Sequence, residues 1–277
     1  MKKLNFVKMH GLGNDFILID CLNQELQNPE KFAIKYCNRR VGIGADQLLL
    51  IYPSKIADFK MRIFNADGSE VEMCGNGIRC FAKYIWDRGL SNKETLEVET
   101  LAGIIKPKKV DKLVRVDMGK PEFHPSKIPI DSDGEMAFNI NLEVSGWLAR
   151  LNCVSMGNPH AVIFLNEDPK NFAVEKYGSL IENHPIFPKR TNVEFAFVKN
   201  PNEIIMRVWE RGAGETLACG TGACATAVAA IYKKLTENNV TVHLLGGDLF
   251  IEWADDGHVY MTGPAEEVFE GTVKLTF

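Results

Sequence analysis

Two cysteines of the sequence, Cys74 and Cys219, stand in nearly the same surroundings. The first lies in the stretch VEMCGNGIRC and the second in TLACGTGACA, so each is followed by a glycine, a polar residue and another glycine. A cysteine thiolate is a base and a nucleophile, and the start of a helix lowers the pKa of a thiol placed there. Glycines allow backbone N–H groups to approach a ligand closely. Each stretch therefore predicts a reactive thiol beside a cradle for a carboxylate or phosphate.

Two such units suit the inversion of a stereocentre. One cysteine, as thiolate, would remove a hydrogen from one face of a bound molecule, and the other, as thiol, would return a hydrogen from the opposite face. The α-hydrogen of an amino acid is weakly acidic, so the carbanion needs hydrogen-bond donors where its charge develops. Two helix starts that donate to the α-carboxylate would supply them, and no organic cofactor is then required.

The alternative for each cysteine is burial as a small apolar residue, which is common. The repeated glycine context favours the chemical role for Cys74 and Cys219. A metal site that adds Cys80 and Cys224 to this pair is disfavoured, because the spacings C-x5-C and C-x4-C are not those of zinc sites. The cysteines without the glycine context are expected to lie in the core: Cys21, Cys37, Cys80, Cys153 and Cys224.

The repetition extends beyond the cysteines. The offset of 145 residues that brings position 74 onto position 219 also brings KMRIFNADG onto IMRVWERGA. At an offset of 144 residues, GLGNDFILI falls on SMGNPHAVI. Segments that correspond in the same order at nearly one spacing indicate an internal duplication. We therefore expect two related halves.

The same two offsets pair polar residues that lie outside the cysteine segments. Matching polar positions are expected where two lobes reach one ligand, although an asparagine alone is more often a turn or a cap. The pairs are Asn14 with Asn158, Gln47 with Asn192, and Asn65 with Glu210.

Two further residues are candidates without a polar counterpart. Arg211 could bind a second carboxylate through its planar guanidinium, the alternative being a surface ion pair. His160 could orient or deprotonate a thiol, or could be a structural histidine.

Short alternating or β-branched runs open each half, which predicts strands and turns. After the first cysteine, the spacing of Ile78, Phe81 and Ile85 predicts a helix. After the second, an alanine-rich stretch from Ala223 to Leu235 does the same. The sequence thus predicts an α+β fold of two pseudo-symmetric lobes, each a mostly antiparallel, barrel-like sheet around a central helix. A dinucleotide-binding fold is disfavoured, because there is no βαβ alternation and no complete GxGxxG.

Composition excludes several classes of partner. The formal net charge is −4 and no Lys or Arg block exceeds a pair, so the sequence offers no basic patch of the kind that binds nucleic acid. Apolar runs are far shorter than the roughly 20 residues of a membrane span, and the first residues lack a signal-peptide core. Seven cysteines without an export signal predict reduced thiols in the cytoplasm. Without CxxC or HExxH, no metal site is expected.

These segments resemble the diaminopimelate epimerase family, which works without a cofactor. The resemblance rests on KMHGLGNDF, GIGADQ, FNADGSEVEMCGNGIRC, MGNPH, TNVEF and ERGAGETLACGTGA, with no departure at a catalytic position. It implies an isomerase that interconverts LL-2,6-diaminopimelate and the meso isomer by a two-base mechanism, in lysine and cell-wall precursor biosynthesis. Two-cysteine racemases or epimerases of the proline or hydroxyproline type are the close alternative. A thiol redox protein or a non-catalytic amino acid clamp is the alternative from another class.

The resemblance also implies roles for individual residues. Cys74 and Cys219 would be the acid and base pair, and His160 and Glu210 would tune the thiols. The implied substrate-binding residues are Asn14, Gln47, Asn65, Gly75, Asn76, Asn158, Asn192, Glu210, Arg211, Gly220 and Thr221.

The expected N-terminal lobe comprises residues 1–119 with 264–277, and the expected C-terminal lobe comprises 120–263. The active site is expected in the cleft between them, and the resemblance implies a homodimer.

Overall fold

The computed structural model describes residues 3–275 and confirms the α+β class. The chain divides into two compact units. The first runs to Val116 and resumes at Gly263, and the second is Asp117–Thr262. Each unit has its own long helix, as the duplication predicts, and the strands form two sheets, neither of which closes into a barrel in the described residues.

The elements of the first part of the chain are β1 (Lys3–Gly11), β2 (Asn14–Asp20), α1 (Pro29–Tyr36), β3 (Gln47–Tyr52), β4 (Phe59–Asn65), β5 (Glu70–Val71), α2 (Gly75–Asp87), β6 (Val98–Thr100), β7 (Gly103–Ile105), β8 (Lys108–Val110) and β9 (Leu113–Asp117). Those that follow are β10 (Phe138–Val144), β11 (Trp147–Ser155), β12 (Pro159–Phe164), α3 (Val174–Glu182), β13 (Asn192–Asn200), β14 (Glu203–Glu210), β15 (Gly214–Thr216), α4 (Gly220–Tyr232), β16 (Asn239–Leu244), β17 (Gly247–Trp253), β18 (Val259–Gly263) and β19 (Glu266–Lys274). Two short 3-10 turns lie at Pro125–Lys127 and Pro169–Asn171.

The two sheets share one strand order, from β1 to β7 in the first and from β11 to β17 in the second. The first has the order β19-β1-β2-β3-β4-β6-β7, with β5 beside β4. The second contains the order β10-β11-β12-β13-β14-β16-β17-β18, with β15 beside β14. Most neighbours are antiparallel, but β2 and β3, β4 and β6, β12 and β13, and β14 and β16 are parallel. The parallel pairs thus fall at corresponding places in the two units.

Parallel neighbours need a crossover connection, and short helices supply two of these crossovers. Helix α1 lies between β2 and β3, and α3 lies between β12 and β13. The sequence interpretation of one helix per half without βαβ units was wrong here. The first crossover is difficult to recognise from the sequence because α1 has eight residues and buries only Phe32 and Ala33 fully.

The two long helices occupy equivalent positions. Both have 13 residues, and they begin at Gly75 and Gly220. Helix α2 packs on β1, β2, β3 and β19, and the side chains of Ile78, Phe81 and Ile85 are fully buried as their spacing predicts.

Helix α4 packs on strands from β11 to β17 and buries the whole stretch from Ala223 to Ala230. A helix that is apolar all round is typical of a buried core element. It ends at Tyr232 and not at Leu235 as expected, because the backbone turns left-handed at Lys234, where φ is 58°. Within residues 3–275, no helix has the length and apolar character that a membrane crossing requires.

Candidate active site

Both glycine-flanked cysteines are the N-caps of the long helices. Cys74 has φ −140° and ψ 118°, and Cys219 has φ −123° and ψ 113°. Each sulfur accepts a hydrogen bond from the N–H three residues further on, Gly77 in α2 and Gly222 in α4, at 3.4 Å. The intervening N–H groups have no preceding turn to bond to. Each helix start therefore offers a sulfur together with backbone donors for an anion.

The first half-site consists of Asn14, Gln47, Asn65, Cys74 and Asn76. The side-chain oxygen of Asn14 lies 3.6 Å from Cys74 Sγ and 3.2 Å from Asn76 Nδ2. The Gln47 amide donates to Asn65 Oδ1 at 2.8 Å. Two buried acceptors, Gln47 Oε1 and Asn76 Oδ1, have no hydrogen-bond partner among the described residues. Because buried acceptors are rarely left unpaired, these two oxygens suit the N–H groups of a ligand.

A charged network fixes the amide of Asn14. Asn14 Nδ2 donates to Asp46 Oδ2 at 2.9 Å, so its oxygen is left to face Cys74. Arg39 donates to Asp46 at 2.7 Å and to Asp15 at 2.6 Å, and Lys8 also donates to Asp15 at 2.6 Å. The sequence interpretation missed these charged residues. Their signal was present, because Lys8, Asp15 and Asp46 lie inside the quoted motifs KMHGLGNDF and GIGADQ.

This network lowers the pKa of the Asp15 carboxyl. Burial raises the pKa of Asp15, but hydrogen bonds from Arg39 and Lys8 outweigh burial and bring the pKa to about 2. The Asp15 carboxyl is therefore ionised in the folded protein near neutral pH.

We expect Asp15→Asn to lower the free energy of unfolding near neutral pH by about 1 to 2 kcal/mol. A carboxyl with a lower pKa in the folded state stabilises the fold above its unfolded pKa, near about 4, and this contribution is lost as the pH falls towards about 2. The difference in unfolding free energy between wild type and variant should therefore narrow over that range in urea titrations. The same substitution at the exposed Asp255 serves as control. A difference for Asp15→Asn that stays constant down to about pH 2 would contradict the assignment.

The second half-site contains a hydrogen-bonded chain of Glu194, His160, Asn158, Thr221 and Cys219. Glu194 Oε1 lies 2.7 Å from His160 Nδ1, and both side chains are fully buried. His160 Nε2 lies 3.0 Å from Asn158 Oδ1. Asn158 Nδ2 donates to Thr221 Oγ1 at 3.3 Å, and that hydroxyl lies 3.5 Å from Cys219 Sγ. The chain connects a buried carboxylate to the sulfur through four contacts.

Burial and negative charge govern the acidity of the second cysteine. Burial raises the pKa of Cys219 well above its ordinary value, and the carboxylates of Glu210 and Glu194 raise it further. Hydrogen bonds from Thr221 and from the Gly222 N–H act in the opposite direction but do not outweigh burial. Burial also raises the pKa of Glu210, whose carboxyl is hydrogen-bonded to Cys219. The thiol form of Cys219 is therefore favoured.

Asn192, the counterpart of Gln47, bonds within the protein. Its amide nitrogen donates to the Pro159 carbonyl at 2.8 Å, and its oxygen accepts from the Arg211 N–H at 2.9 Å. The exposed guanidinium of Arg211 donates to the Lys189 carbonyl at 3.2 Å. Asn192 thus holds the loop that carries Arg211, whereas Gln47 keeps an unpartnered oxygen.

The residues predicted from the sequence are divided between the two units. The first unit holds Asn14, Gln47, Asn65, Cys74, Gly75 and Asn76, and the second holds Asn158, His160, Asn192, Glu210, Arg211, Cys219, Gly220 and Thr221. The sequence interpretation missed Glu194, although it lies in the quoted segment TNVEF. The cysteines expected in the core are buried. In the described part of the chain, no three His, Cys, Asp or Glu side chains converge as metal ligands would.

The sequence matches the family model described as diaminopimelate epimerase over residues 6–124 and 152–268. The chain belongs to the diaminopimelate epimerase family. A diaminopimelate epimerase from Acetivibrio thermocellus is 53% identical, over 98% of this chain and 99% of its own length. Another from Methanococcus maripaludis is 49% identical, over 98% of this chain and 100% of its own length. Membership in the diaminopimelate epimerase family thus rests on nearly the whole chain.

Solved structures of more distant proteins share the fold. A phenazine biosynthesis PhzF family protein from Bacillus anthracis has a TM-score of 0.74 and 17% identity, covering 99% of this chain and 100% of its own. A hydroxyproline epimerase from Agrobacterium vitis has a TM-score of 0.70 and 14% identity, covering 98% and 92%. At such identities the likeness is one of fold. The similarity in sequence, by contrast, is to diaminopimelate epimerases.

Proposed function

We propose that the protein interconverts LL-2,6-diaminopimelate and meso-diaminopimelate without a cofactor. The observation that carries this proposal is the repeated half-site, a cysteine N-cap with backbone donors and ordered amides, in a chain of the diaminopimelate epimerase family. One half-site supplies one thiol and one set of donors. Inversion of a carbon needs two thiols, and the duplication supplies the second.

The reacting end of the substrate carries an α-carboxylate, an α-ammonium and the α-hydrogen. In the proposed complex, the helix-start N–H groups of Gly75 and Asn76 and of Gly220 and Thr221 donate to the α-carboxylate. Donors held in place where negative charge develops favour the carbanion over the ground state. The unpartnered oxygen of Gln47 is an acceptor for an N–H group of the substrate.

Proton transfer follows from the two thiols. One cysteine, as thiolate, takes the α-proton and becomes a thiol, and the electron pair of the broken C–H bond stays on the α-carbon. The other cysteine, as thiol, gives its proton to the opposite face of that carbon and becomes a thiolate. Cys74 and Cys219 therefore exchange protonation states in each turnover, and the reverse reaction exchanges them back.

The groups around Cys219 set the pKa of its thiol. Its raised pKa keeps the proton on sulfur, as a general acid requires. The carboxyl of Glu210, also with a raised pKa, is hydrogen-bonded to that thiol and can share its proton. His160 reaches Cys219 through Asn158 and Thr221.

The non-reacting end of the substrate carries a second carboxylate and a second ammonium group. Arg211 can bind that carboxylate with its exposed guanidinium. The remaining amides, Asn14, Asn65, Asn158 and Asn192, complete the proposed binding set. The two halves of the site differ at the equivalent position that is occupied by Asn65 in the first half and by Glu210 in the second.

This proposal places the substrate between residues 1–119 with 264–277 on one side and 120–263 on the other. It also includes a cytoplasmic homodimer that acts in lysine and cell-wall precursor biosynthesis, as the family resemblance implies. The exposed Val268 and Phe269 of strand β19 offer apolar surface for such a dimer. Sedimentation equilibrium of the purified protein tests the dimer directly.

The reaction is tested with purified protein and LL-2,6-diaminopimelate in deuterated water. We expect the meso product to carry deuterium at the inverted carbon from the first turnovers, because its new hydrogen comes from a thiol that exchanges with solvent. Residual LL substrate should gain little deuterium early. In a two-base enzyme the hydrogen from solvent is delivered to the opposite face of the α-carbon, which gives the meso product. Chiral chromatography with mass spectrometry measures both pools.

Failure to exchange or invert either isomer would contradict the proposed function. Inversion of proline or hydroxyproline without inversion of diaminopimelate would assign the chain to the alternative activity. Binding of diaminopimelate without exchange would indicate a clamp, and turnover of disulfides instead would indicate a redox protein.

A further inference from the structure

The buried pair of His160 and Glu194 is costly for a structural element. Both side chains have 0% exposure, and the second oxygen of the carboxylate, Oε2, has no hydrogen-bond partner among the described residues. A buried carboxylate with an unsatisfied oxygen lowers stability relative to apolar residues of similar size. The pair therefore calls for a reason other than packing.

The duplication contains an internal control for this reasoning. Phe16 occupies the position of His160 in the first half, and Leu49 occupies that of Glu194. The strand registers agree, because Phe16 pairs with Gln47 in the first sheet where His160 pairs with Asn192 in the second. Phe16 and Leu49 are fully buried, so an apolar pair fills the same place in the same fold. Packing does not require the charged pair.

The helix start in the second half also leaves room for this carboxylate. A Cβ at Gly222 would lie 2.7 Å from Glu194 Oε1, whereas a Cβ at the equivalent Gly77 would lie 3.2 Å from the Leu49 methyl group. Glu194 thus lies directly beneath the helix turn that begins at Cys219.

The side-chain hydrogen bonds that reach the two cysteines through Asn14 and Asn158 have opposite directions. Both ring nitrogens of His160 face an oxygen, Nδ1 that of Glu194 and Nε2 that of Asn158, so both nitrogens carry a hydrogen and donate. Asn158 therefore turns its NH2 group to Thr221, whose hydroxyl is free to donate to Cys219. The chain ends with a donor aimed at the sulfur, which favours the thiolate.

In the first half-site the direction is reversed. Asp46 accepts from the NH2 group of Asn14, so the Asn14 oxygen faces Cys74 and accepts from its thiol. An acceptor at the sulfur favours the thiol form. Each asparagine is thus oriented by a carboxylate, but Glu194 acts through a histidine that donates from both ring nitrogens, which turns the second amide the other way.

We propose that Glu194 is a positioning residue for Cys219: it fixes the ring of His160, and through Asn158 and Thr221 directs a hydrogen-bond donor to the sulfur when the thiolate forms. This inference rests on the proposed function. It concerns the second half-site alone, because Phe16 and Leu49 leave the first without an equivalent.

The test uses Glu194→Gln, which keeps the shape of the side chain and removes its charge. We expect kcat to fall about tenfold to a hundredfold, in the range found when a residue that orients a reacting group is replaced. KM should stay within about twofold, since Glu194 does not bind substrate in the proposed complex. Nitrogen NMR of the histidine side chains should show a change in the protonation pattern of His160, and a purely structural role would not produce the fall in kcat that accompanies it.

A double variant addresses the possibility that Glu194→Gln fails to fold. His160→Phe with Glu194→Leu transplants the apolar pair of the first half into the second. We expect this protein to fold with a melting temperature at or above that of wild type, because apolar replacement of a buried ion pair is often neutral or stabilising. Its kcat should nevertheless fall at least as far as that of the single variant. A folded double variant with wild-type kcat would show that the pair is only structural.

A matched control is available on the surface of the same unit. His243 Nδ1 lies 2.8 Å from the exposed Asp248 carboxylate. Asp248→Asn should shift the NMR signals of His243 and leave kcat unchanged. A kcat of Glu194→Gln within about twofold of wild type, or unaltered His160 signals in it, would overturn the inference. Absence of epimerisation in the wild type would instead refute the proposed function, so the two failures are distinguishable.

Discussion

Replacement of either Cys74 or Cys219 by alanine is expected to lower epimerisation of diaminopimelate by about a thousandfold or more, since general acid and base groups each contribute about 10²- to 10⁴-fold. Inversion needs a proton removed on one face and a proton returned on the other, so one remaining thiol cannot complete the reaction. The loss should therefore be equally severe in both directions and for both variants.

Loss of the N-cap lowers the stability of each variant but does not account for the loss of epimerisation. Alanine at an N-cap removes the side-chain bond to the third N–H of the helix and costs about 1 kcal/mol. The melting temperature of each variant should accordingly fall by a few degrees while the fold persists. Circular dichroism and chiral product analysis measure the two effects separately.

Cys80→Ala and Cys224→Ala are the matched controls. These cysteines lie on the same two helices and are fully buried. Burial raises the pKa of Cys80 to about 12, so it is inert as a base near neutral pH. Both controls should keep kcat within a few-fold of wild type once they are folded. Substantial epimerisation by Cys74→Ala or Cys219→Ala would refute the two-base assignment.

Gly222→Ala is expected to have the second largest effect. Alanine in a helix is intrinsically favoured over glycine by about 1 kcal/mol. At this position, however, the added Cβ would lie 2.7 Å from Glu194 Oε1 and 3.3 Å from Cys219 Sγ. The carboxylate is fully buried and bonded to His160, so it cannot move aside without disturbing that contact. We expect a net loss of about 1 to 3 kcal/mol in unfolding free energy, and a fall in kcat of at least about a hundredfold because both contacted groups are displaced.

Gly77→Ala provides the comparison in the other half. Its Cβ would meet a methyl group of Leu49 at 3.2 Å and the Cβ of Cys74 at 3.3 Å. A leucine methyl can move by rotation more readily than a buried, hydrogen-bonded carboxylate. Chemical denaturation and steady-state kinetics should therefore show a smaller loss for Gly77→Ala in both quantities. Equal losses in the two variants would argue against a special role for the space beneath Gly222.

Local sequence determined the repeated part of this protein. Glycines after each cysteine and apolar residues at helical spacing are short-range signals, and they specify a thiol at the start of a helix in each half. The offset between the cysteines also revealed the duplication, since related halves keep their order and spacing. The end of α4 was misjudged at Leu235, because the apolar pattern continues past the left-handed turn at Lys234.

The crossover helices α1 and α3 were missed for a different reason. A helix of eight or nine residues has little stability of its own, and its presence is decided by the parallel strands that it connects. Those parallel pairings join segments distant in sequence, and no local pattern records them.

Tertiary structure alone decided the direction of the side-chain hydrogen bonds in each half-site. The amide of Asn14 is turned by Asp46, 32 residues away, and His160 is held by Glu194, 34 residues away. Both contacts arise from the register of parallel strands, which brings together side chains that the sequence shows only as separate polar residues. A carboxylate accepts and an amide can do either, so these long-range contacts set the direction of the hydrogen bonds that Asn14 and Thr221 make with the two cysteines. The sequence determined which residues repeat, and the packing of the strands determined that the repeated thiols are not equivalent.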